Sequence, residues 1–237
     1  MIRKTLRQRF KHILLYLLTI LSPLPWGGVG GGLSLTCGAA GGGLLLLSSC
    51  SESDDEEGEY ANWQQRNEQF FNSLADSMKQ APTQWFRYKC YSLCDTIEGK
   101  PTDYIYAKVI KSGDATSGSP MATDSVRVSY EGRLIPSASY PKGYIFDGTV
   151  YGKYDPSTNY FASMLLSQTV DGYVTALLHM HRGDYWRIYI PSSLGYGSNS
   201  QNAIPAHSVL IFDLTLIDFA PVGEALPVWS SRRTAFN

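Results

Sequence analysis

Apolar and polar residues follow two different periods along this chain. Between residues 60 and 80, large apolar side chains recur at the spacing of a helix, with polar residues between them. This pattern predicts an amphipathic helix that Pro82 ends. Its apolar face packs either on the domain that follows or, as the alternative, on a partner protein or a membrane. The side chains that form this face are Tyr60, Trp63, Phe70, Phe71, Leu74 and Met78.

A period of two predicts the strands. Strict alternation over residues 125–134 predicts a half-buried strand, and residues 103–116, 185–190 and 208–219 predict further strands, the first of them at a sheet edge. Residues 169–180 return to helical spacing and predict a short helix that begins near Asp171. Residues 85–96 and the loop that ends at residue 159 show no clear pattern. Together these predicted elements indicate an α+β fold of antiparallel strands over one short helix.

The first fifty residues differ in composition from the rest of the chain. Five cations and no acidic residue precede Cys50, and a short apolar run follows the cations. This order is typical of a secretory signal, because the run is shorter than the roughly 20 residues of a membrane-spanning helix. The sequence "LLLLSSC" resembles the bacterial lipobox, which predicts a signal over residues 1–49 and acylation of Cys50. An ordinary signal peptide cleaved elsewhere is the alternative.

An acidic segment follows Cys50, with the sequence "SESDDEEGEY". Like charges repel, so residues 50–59 are predicted to be a disordered tether; they also resemble an acidic signal that sorts lipoproteins to the cell surface. The first 49 residues hold five of the 20 basic residues and none of the 21 acidic ones, so a net charge of about −6 remains after cleavage. Nucleic acid is therefore not predicted as a partner.

Cysteine and histidine spacing indicates no metal site. Cys90 and Cys94 are the cysteines left in the mature domain, and whether they form a disulfide stays open, since their spacing pairs well only if the backbone brings them together. No further ligands stand beside them for zinc. His179 and His181 fall at a predicted helix end and turn rather than on one strand.

Five motifs in order carry a resemblance to a known family. They are "VSYEGRL", "FDG", "TVDGYVTALLHMHRG", "IPSSLGYG" and "IPAHSVLIFDLTLID", between about residues 125 and 219. Together they resemble the FKBP-type peptidyl-prolyl cis/trans isomerases. The resemblance implies a curled antiparallel sheet of about five strands around the short helix, with an aromatic pocket for a prolyl ring. The residues that match the family's pocket are Tyr130, Phe146, Asp147, Val170, Tyr196, Ile204 and Phe212.

The sequence departs from that family at two places. The pocket floor is usually tryptophan, and here it is Tyr173, whose hydroxyl must be satisfied when buried. A further pocket aromatic normally comes from the segment between Asp147 and Val170, which is longer here. Counting without a gap favours Tyr160, and a one-residue insertion favours Phe161.

The resemblance implies a lipid-anchored isomerase of the cell envelope, at the outer membrane or cell surface, that acts on proline-containing polypeptides. It implies neither cofactor nor metal. The expected domains are a signal over 1–49, a tether over 50–59, a helix with an extension over 60–115, the isomerase domain over 116–220 and a tail over 221–237. A homodimer through the N-terminal helix is one arrangement known among related envelope isomerases. The alternative function is a weakly catalytic or non-catalytic binding module for proline-containing segments.

Overall fold

The computed structural model describes residues 58–94, 96–150, 152 and 160–228. The predicted signal over residues 1–49, the acylation of Cys50 and most of the acidic segment lie outside the described residues. Glu59, at the end of the predicted tether, is within them. Its carboxylate accepts hydrogen bonds from the backbone N–H and the hydroxyl of Ser139, the latter at 2.7 Å. Glu59 is thus hydrogen-bonded to the loop that carries Ser139.

One antiparallel sheet of seven strands organises the described part of the chain. The strand order is β1-β2-β6-β7-β3-β4, and β5 pairs with β3 beside β4. The α+β fold predicted from the sequence is confirmed. The strands are β1 (Trp85–Lys89), β2 (Tyr104–Lys111), β3 (Ser125–Arg133), β4 (Ile145–Gly148), β5 (Ala162–Leu165), β6 (Tyr185–Ile190) and β7 (Leu210–Ala220).

β3 lies deeper in the sheet than its alternation predicts. Val126 and Val128 are fully buried on the core side, as expected from the pattern. Polar residues of the opposite face, among them Ser129 and Glu131, are also less than a tenth exposed. Pairing explains part of this burial, because β7 flanks β3 on one side and β4 and β5 share the other side.

The short helix α2 (Asp171–Leu177) packs against the sheet, as predicted. Its residues from Gly172 to Leu177 are buried. A Cβ atom at Gly172 would lie 2.3 Å from Cγ2 of Ile190 on β6, so only glycine allows the helix to approach the strand this closely. This approach sets the depth of the space between α2 and the strands.

The N-terminal helix α1 (Trp63–Gln80) buries its apolar face against its own domain. The Phe71 ring lies 5.3 Å from the Tyr106 ring of β2, and the Phe70 ring lies 6.1 Å from the Tyr189 ring of β6. This confirms the first of the two predicted packing modes. Tyr60 precedes the helix and is 41% exposed.

Two predictions about the N-terminal strands need correction. The edge strand predicted over residues 103–116 is shorter, as β2, and it is not at an edge, because β1 pairs along its outer side. β1, β4 and β5 were not predicted as strands. Strands of five and four residues are too short for alternation to stand out from the loops around them.

Cys90 and Cys94 are not joined by a disulfide in the described part of the chain. Cys90 is buried at the end of β1, where its N–H donates to the Asp103 carbonyl at 2.8 Å, while Cys94 is exposed in the loop beyond. The disulfide that the spacing left open is therefore not formed. No helix within the described ranges is long and apolar enough to cross a membrane.

Candidate active site

A cavity of about 300 Å³ opens between α2 and the strands β3, β4 and β7. Its walls come from elements far apart in sequence, which the sheet order brings together. Half of the ten lining residues are aromatic, and the others include polar side chains. The lining residues are Tyr130, Phe146, Asp147, Met164, Gln168, Thr169, Val170, Tyr173, Tyr196 and Phe212.

Three aromatic contacts centred on Phe212 build the apolar wall. Its ring lies 5.5 Å from Phe146, 5.2 Å from Tyr173 and 6.1 Å from Tyr130, each in an edge-to-face arrangement. Gly132 on β3 lies behind two of these rings. A Cβ there would lie 2.6 Å from the Phe146 ring and 2.8 Å from the Phe212 ring, so the wall needs a residue without a side chain at this position.

A tyrosine–aspartate pair forms the polar side of the cavity. The Tyr130 hydroxyl donates to Oδ2 of Asp147 at 2.7 Å, and the Gly148 N–H donates to Oδ1 at 2.8 Å. Burial raises the pKa of Tyr130 far above its ordinary value, and the hydrogen bond to Asp147 raises it further. The pair therefore holds the Asp147 carboxylate in a fixed position at the wall.

Tyr196 lies at the mouth of the cavity. The chain leaves a short 3₁₀ helix (Ser192–Leu194) and turns back through Gly197, whose φ of 63° is in the left-handed region that favours glycine. The Gly197 N–H donates to the Ser192 carbonyl at 2.8 Å and closes the turn. Burial raises the pKa of Tyr196 and the charge of Asp147 raises it further, so its hydroxyl is a protonated donor at neutral pH.

Tyr173 forms the floor from the first turn of α2. The residue is 4% exposed, and its hydroxyl has no hydrogen-bond partner within the described part of the chain. Burial raises its pKa well above the ordinary value, with a smaller contribution from Tyr130. The floor thus contains a neutral, unsatisfied hydroxyl.

The structure brings together seven of the residues that the family resemblance singled out. Tyr130, Phe146, Asp147, Val170, Tyr173, Tyr196 and Phe212 all line the cavity. Ile204 does not reach its surface; it is 6% exposed and belongs to the hydrophobic core beside it.

Neither candidate for the additional pocket aromatic lines the cavity. Tyr160 is 73% exposed to solvent. Phe161 is partly buried, with the Arg127 guanidinium 4.9 Å from its ring centre. The pairing of β5 with β3 explains this placement, because it brings Met164 to the cavity instead.

Met164, Gln168 and Thr169 were not predicted as lining residues. Gln168 and Thr169 stand directly before Val170, so their proximity in sequence was the available signal. Met164 had no such signal, because the four-residue strand that carries it shows no period.

The histidines and the serine outside the cavity have structural contacts. His179 stacks on Tyr88 at 4.0 Å between ring centres, and His181 Nδ1 lies 3.5 Å from the Asp184 carboxylate. Ser208 accepts a hydrogen bond from Trp63, and Asp213 pairs with Arg187, so His207, Ser208 and Asp213 form no catalytic triad. The residues that the structure describes include no group of three His, Cys, Asp or Glu side chains suited to a metal ion.

A curled antiparallel sheet over one short helix, with an aromatic pocket between them, defines an FKBP-type domain. The sequence comparison agrees: residues 117–217 match the family described as FKBP-type peptidyl-prolyl cis-trans isomerase. The matched part of the chain also resembles the Mip and FkpA proteins.

Two curated relatives and one solved structure illustrate the similarity. The peptidyl-prolyl cis-trans isomerase Mip of Coxiella burnetii is 35% identical over 46% of this chain and 42% of its own. The FKBP-type 22 kDa isomerase of Escherichia coli is 33% identical over 47% of this chain and 48% of its own. The crystal structure of FkpA from Escherichia coli is 22% identical, with a TM-score of 0.47 over 68% of this chain and 62% of that one. The chain thus spans less than half the length of these curated relatives.

Proposed function

We propose that this chain is a peptidyl-prolyl cis/trans isomerase that accelerates the rotation of X-Pro bonds in exported proteins. The observation that supports it most is the single cavity in which Phe146, Tyr173 and Phe212 form apolar walls beside Asp147 and Tyr196. A prolyl ring is apolar and its preceding carbonyl is polar. The cavity offers a matching surface to each.

The isomerisation of an X-Pro bond involves no group transfer. Rotation about the X-Pro bond has a barrier of about 18–20 kcal/mol because the amide has partial double-bond character. In the twisted transition state this resonance is lost, and the carbonyl oxygen carries less charge than in the planar amide. A site that strips water from the planar, more polar amide therefore favours the twisted form.

Each polar residue then has an orienting role. Tyr196, a protonated hydroxyl at the mouth, donates to a substrate carbonyl oxygen, and the backbone N–H of Val170 at the start of α2 is a second donor. The Asp147 carboxylate, held by the Tyr130 hydroxyl, accepts a hydrogen bond from the substrate or orients the substrate's dipole. The aromatic rings hold the pyrrolidine ring while the preceding carbonyl rotates.

The test is an X-Pro peptide isomerisation assay with the full chain and two phenylalanine variants. Phe146→Ala removes the cavity wall, and we expect kcat/KM to fall at least about tenfold. Phe86→Ala removes a 41% exposed phenylalanine of β1 outside the cavity and is expected to leave kcat/KM within about twofold. Urea denaturation verifies that both variants fold. Equal losses in the two variants, or no acceleration by the wild-type chain, would contradict the proposal.

The second candidate function is a binding module for proline-containing segments with little turnover. Tyr173 favours it, because the floor carries a buried hydroxyl where the family usually has tryptophan. Peptide binding without acceleration of the cis–trans conversion would select this function over the enzyme.

We further propose that the protein is anchored at the cell envelope through acylated Cys50. The lipobox-like sequence supports this, and one relative, 32% identical over 46% of this chain, is the outer membrane protein MIP of Legionella longbeachae. Labelling with a palmitate analogue should mark the wild-type chain and not Cys50→Ser. Label on both would overturn the anchor. A homodimer through α1 would have to use the polar face of the helix, since the apolar face is covered by its own domain.

A further inference from the structure

The loop that carries Tyr196 is tied to the N-terminal helix. We define the mouth loop as residues 195–209, which run from the 3₁₀ helix to β7 and include both Tyr196 and Ile204. The Trp63 indole Nε1–H donates to the Ser208 hydroxyl at 2.8 Å. The Asn67 carboxamide Oδ1 accepts from the Val209 N–H at 2.7 Å. All four residues are less than a tenth exposed, so both hydrogen bonds are shielded from water.

Asn67 is positioned to accept the hydrogen bond from the Val209 N–H. It is 1% exposed among the residues that α1 buries, where an amide is costly unless its polar atoms are bonded. Its Nδ2 donates to the Trp63 carbonyl one turn back at 2.7 Å, which fixes the orientation of the amide. Its Oδ1 is then directed at the Val209 N–H.

The mouth loop needs such a support at this end. His207, directly before the two bonded residues, has a φ of 60°, a left-handed conformation that is costly for a residue with a side chain. Its N–H donates to the Gly197 carbonyl at 2.8 Å, next to Tyr196. The Ser208 hydroxyl in turn donates to the Pro205 carbonyl at 2.7 Å. A continuous series of contacts therefore joins α1 to the turn that presents Tyr196.

We propose that Asn67 and Trp63 are positioning residues for the pocket, through which α1 holds the mouth loop so that Tyr196 stays at the cavity. α1 lies outside residues 117–217, the part of the chain that matches the isomerase family, so this support is an addition to the domain. The catalytic consequence of the proposal rests on the proposed isomerase function. The structural consequence does not.

The first readout is amide hydrogen exchange in the full chain, which needs no substrate. Asn67→Ala leaves the Val209 N–H buried without an acceptor, and we expect the Val209 and His207 amides to exchange at least about tenfold faster. Leu74→Ala is the control: Leu74 is 5% exposed on the same helix, seven residues or about 10 Å further along. It should lower global stability without selectively exposing these two amides. Unchanged exchange at Val209 in Asn67→Ala would overturn the proposal.

The second readout is isomerase activity at a temperature where all variants are folded. We expect kcat/KM to fall about fivefold or more in Asn67→Ala and to stay within about twofold in Leu74→Ala. Equal losses would show a merely structural role and overturn the positioning role. Trp63→Phe, which removes the indole donor and keeps an aromatic ring, should reproduce the faster exchange if Asn67→Ala does not fold. An inactive wild-type chain would refute the proposed function, and the exchange result would still decide whether α1 supports the loop.

Discussion

Replacing Tyr173 by phenylalanine removes one oxygen atom from the floor of the cavity. That hydroxyl is buried and has no hydrogen-bond partner among the described residues. An unsatisfied buried hydroxyl costs about 1–3 kcal/mol relative to its state in water. Part of this cost is recovered when the hydroxyl is removed, so we expect Tyr173→Phe to raise the free energy of unfolding by about 1 kcal/mol. For a domain of this size the thermal midpoint should rise by about 2–4 °C.

The same substitution should change how stability depends on pH. The unfolded phenol ionises near its ordinary pKa of 10.0, whereas burial raises the pKa of Tyr173 in the folded protein well above it. Above pH 10 the folded state thus keeps a proton that the unfolded state has lost, and the free energy of unfolding falls by up to about 1.4 kcal/mol per pH unit. Tyr173→Phe lacks this contribution, so its advantage over the wild-type chain should widen as the pH rises above 10.

Urea denaturation of both chains at pH 7, 10 and 11 measures the two effects together. Tyr160→Phe is the matched control, because Tyr160 is 73% exposed and its hydroxyl is in water. It should shift neither the midpoint nor the pH profile. A loss of stability in Tyr173→Phe at pH 7 would show that the hydroxyl has a partner in solution, and parallel pH profiles would refute the burial argument.

Two further predictions concern the wall and the thiols. Gly132→Ala places a methyl group against the Phe146 and Phe212 rings, so we expect unfolding free energy to fall by about 1–3 kcal/mol and binding of an X-Pro peptide to weaken; unchanged binding in a peptide titration would show that the rings shift freely. Iodoacetamide should alkylate Cys94 in the native protein and Cys90 only after denaturation, as peptide mass mapping measures; a peptide linked through both thiols would contradict the structure.

Periodicity was sufficient for the elements with a long, one-sided burial pattern. α1, β6 and β7 lie where helical spacing or alternation predicts them, because each repeats its apolar residues often enough to define a face. β1 and β5 are too short to do so. Because β1 pairs along its outer side, β2 is not the edge strand that its sequence predicted. The position of a strand in a sheet depends on its neighbours and not on its own sequence.

Part of the candidate site could likewise be predicted from the sequence, and part of it could not. The order of the five motifs located the residues of the aromatic wall through the family resemblance, even for Phe146, which stands on a four-residue strand that periodicity did not predict. The resemblance also singled out Ile204, which is 6% exposed in the hydrophobic core and is not among the lining residues. Asn67 carried no signal, because a polar residue between apolar ones in a helix is expected to face water. A periodic sequence pattern predicts which face of a helix or strand is buried. It does not predict which residues that face contacts.

The strand order also has a consequence for how the protein is made. β2 pairs with β6, and β3 with β7, the most C-terminal strand in the described part of the chain. Local hairpins form early, but the sheet closes only when residues 210–220 are available, and such long-range pairings are slow to form. Until residues 208 and 209 are available, α1 also lacks its hydrogen bonds to Ser208 and Val209. A protein proposed to hasten the folding of others thus completes its own sheet only when the most C-terminal of its described strands is available.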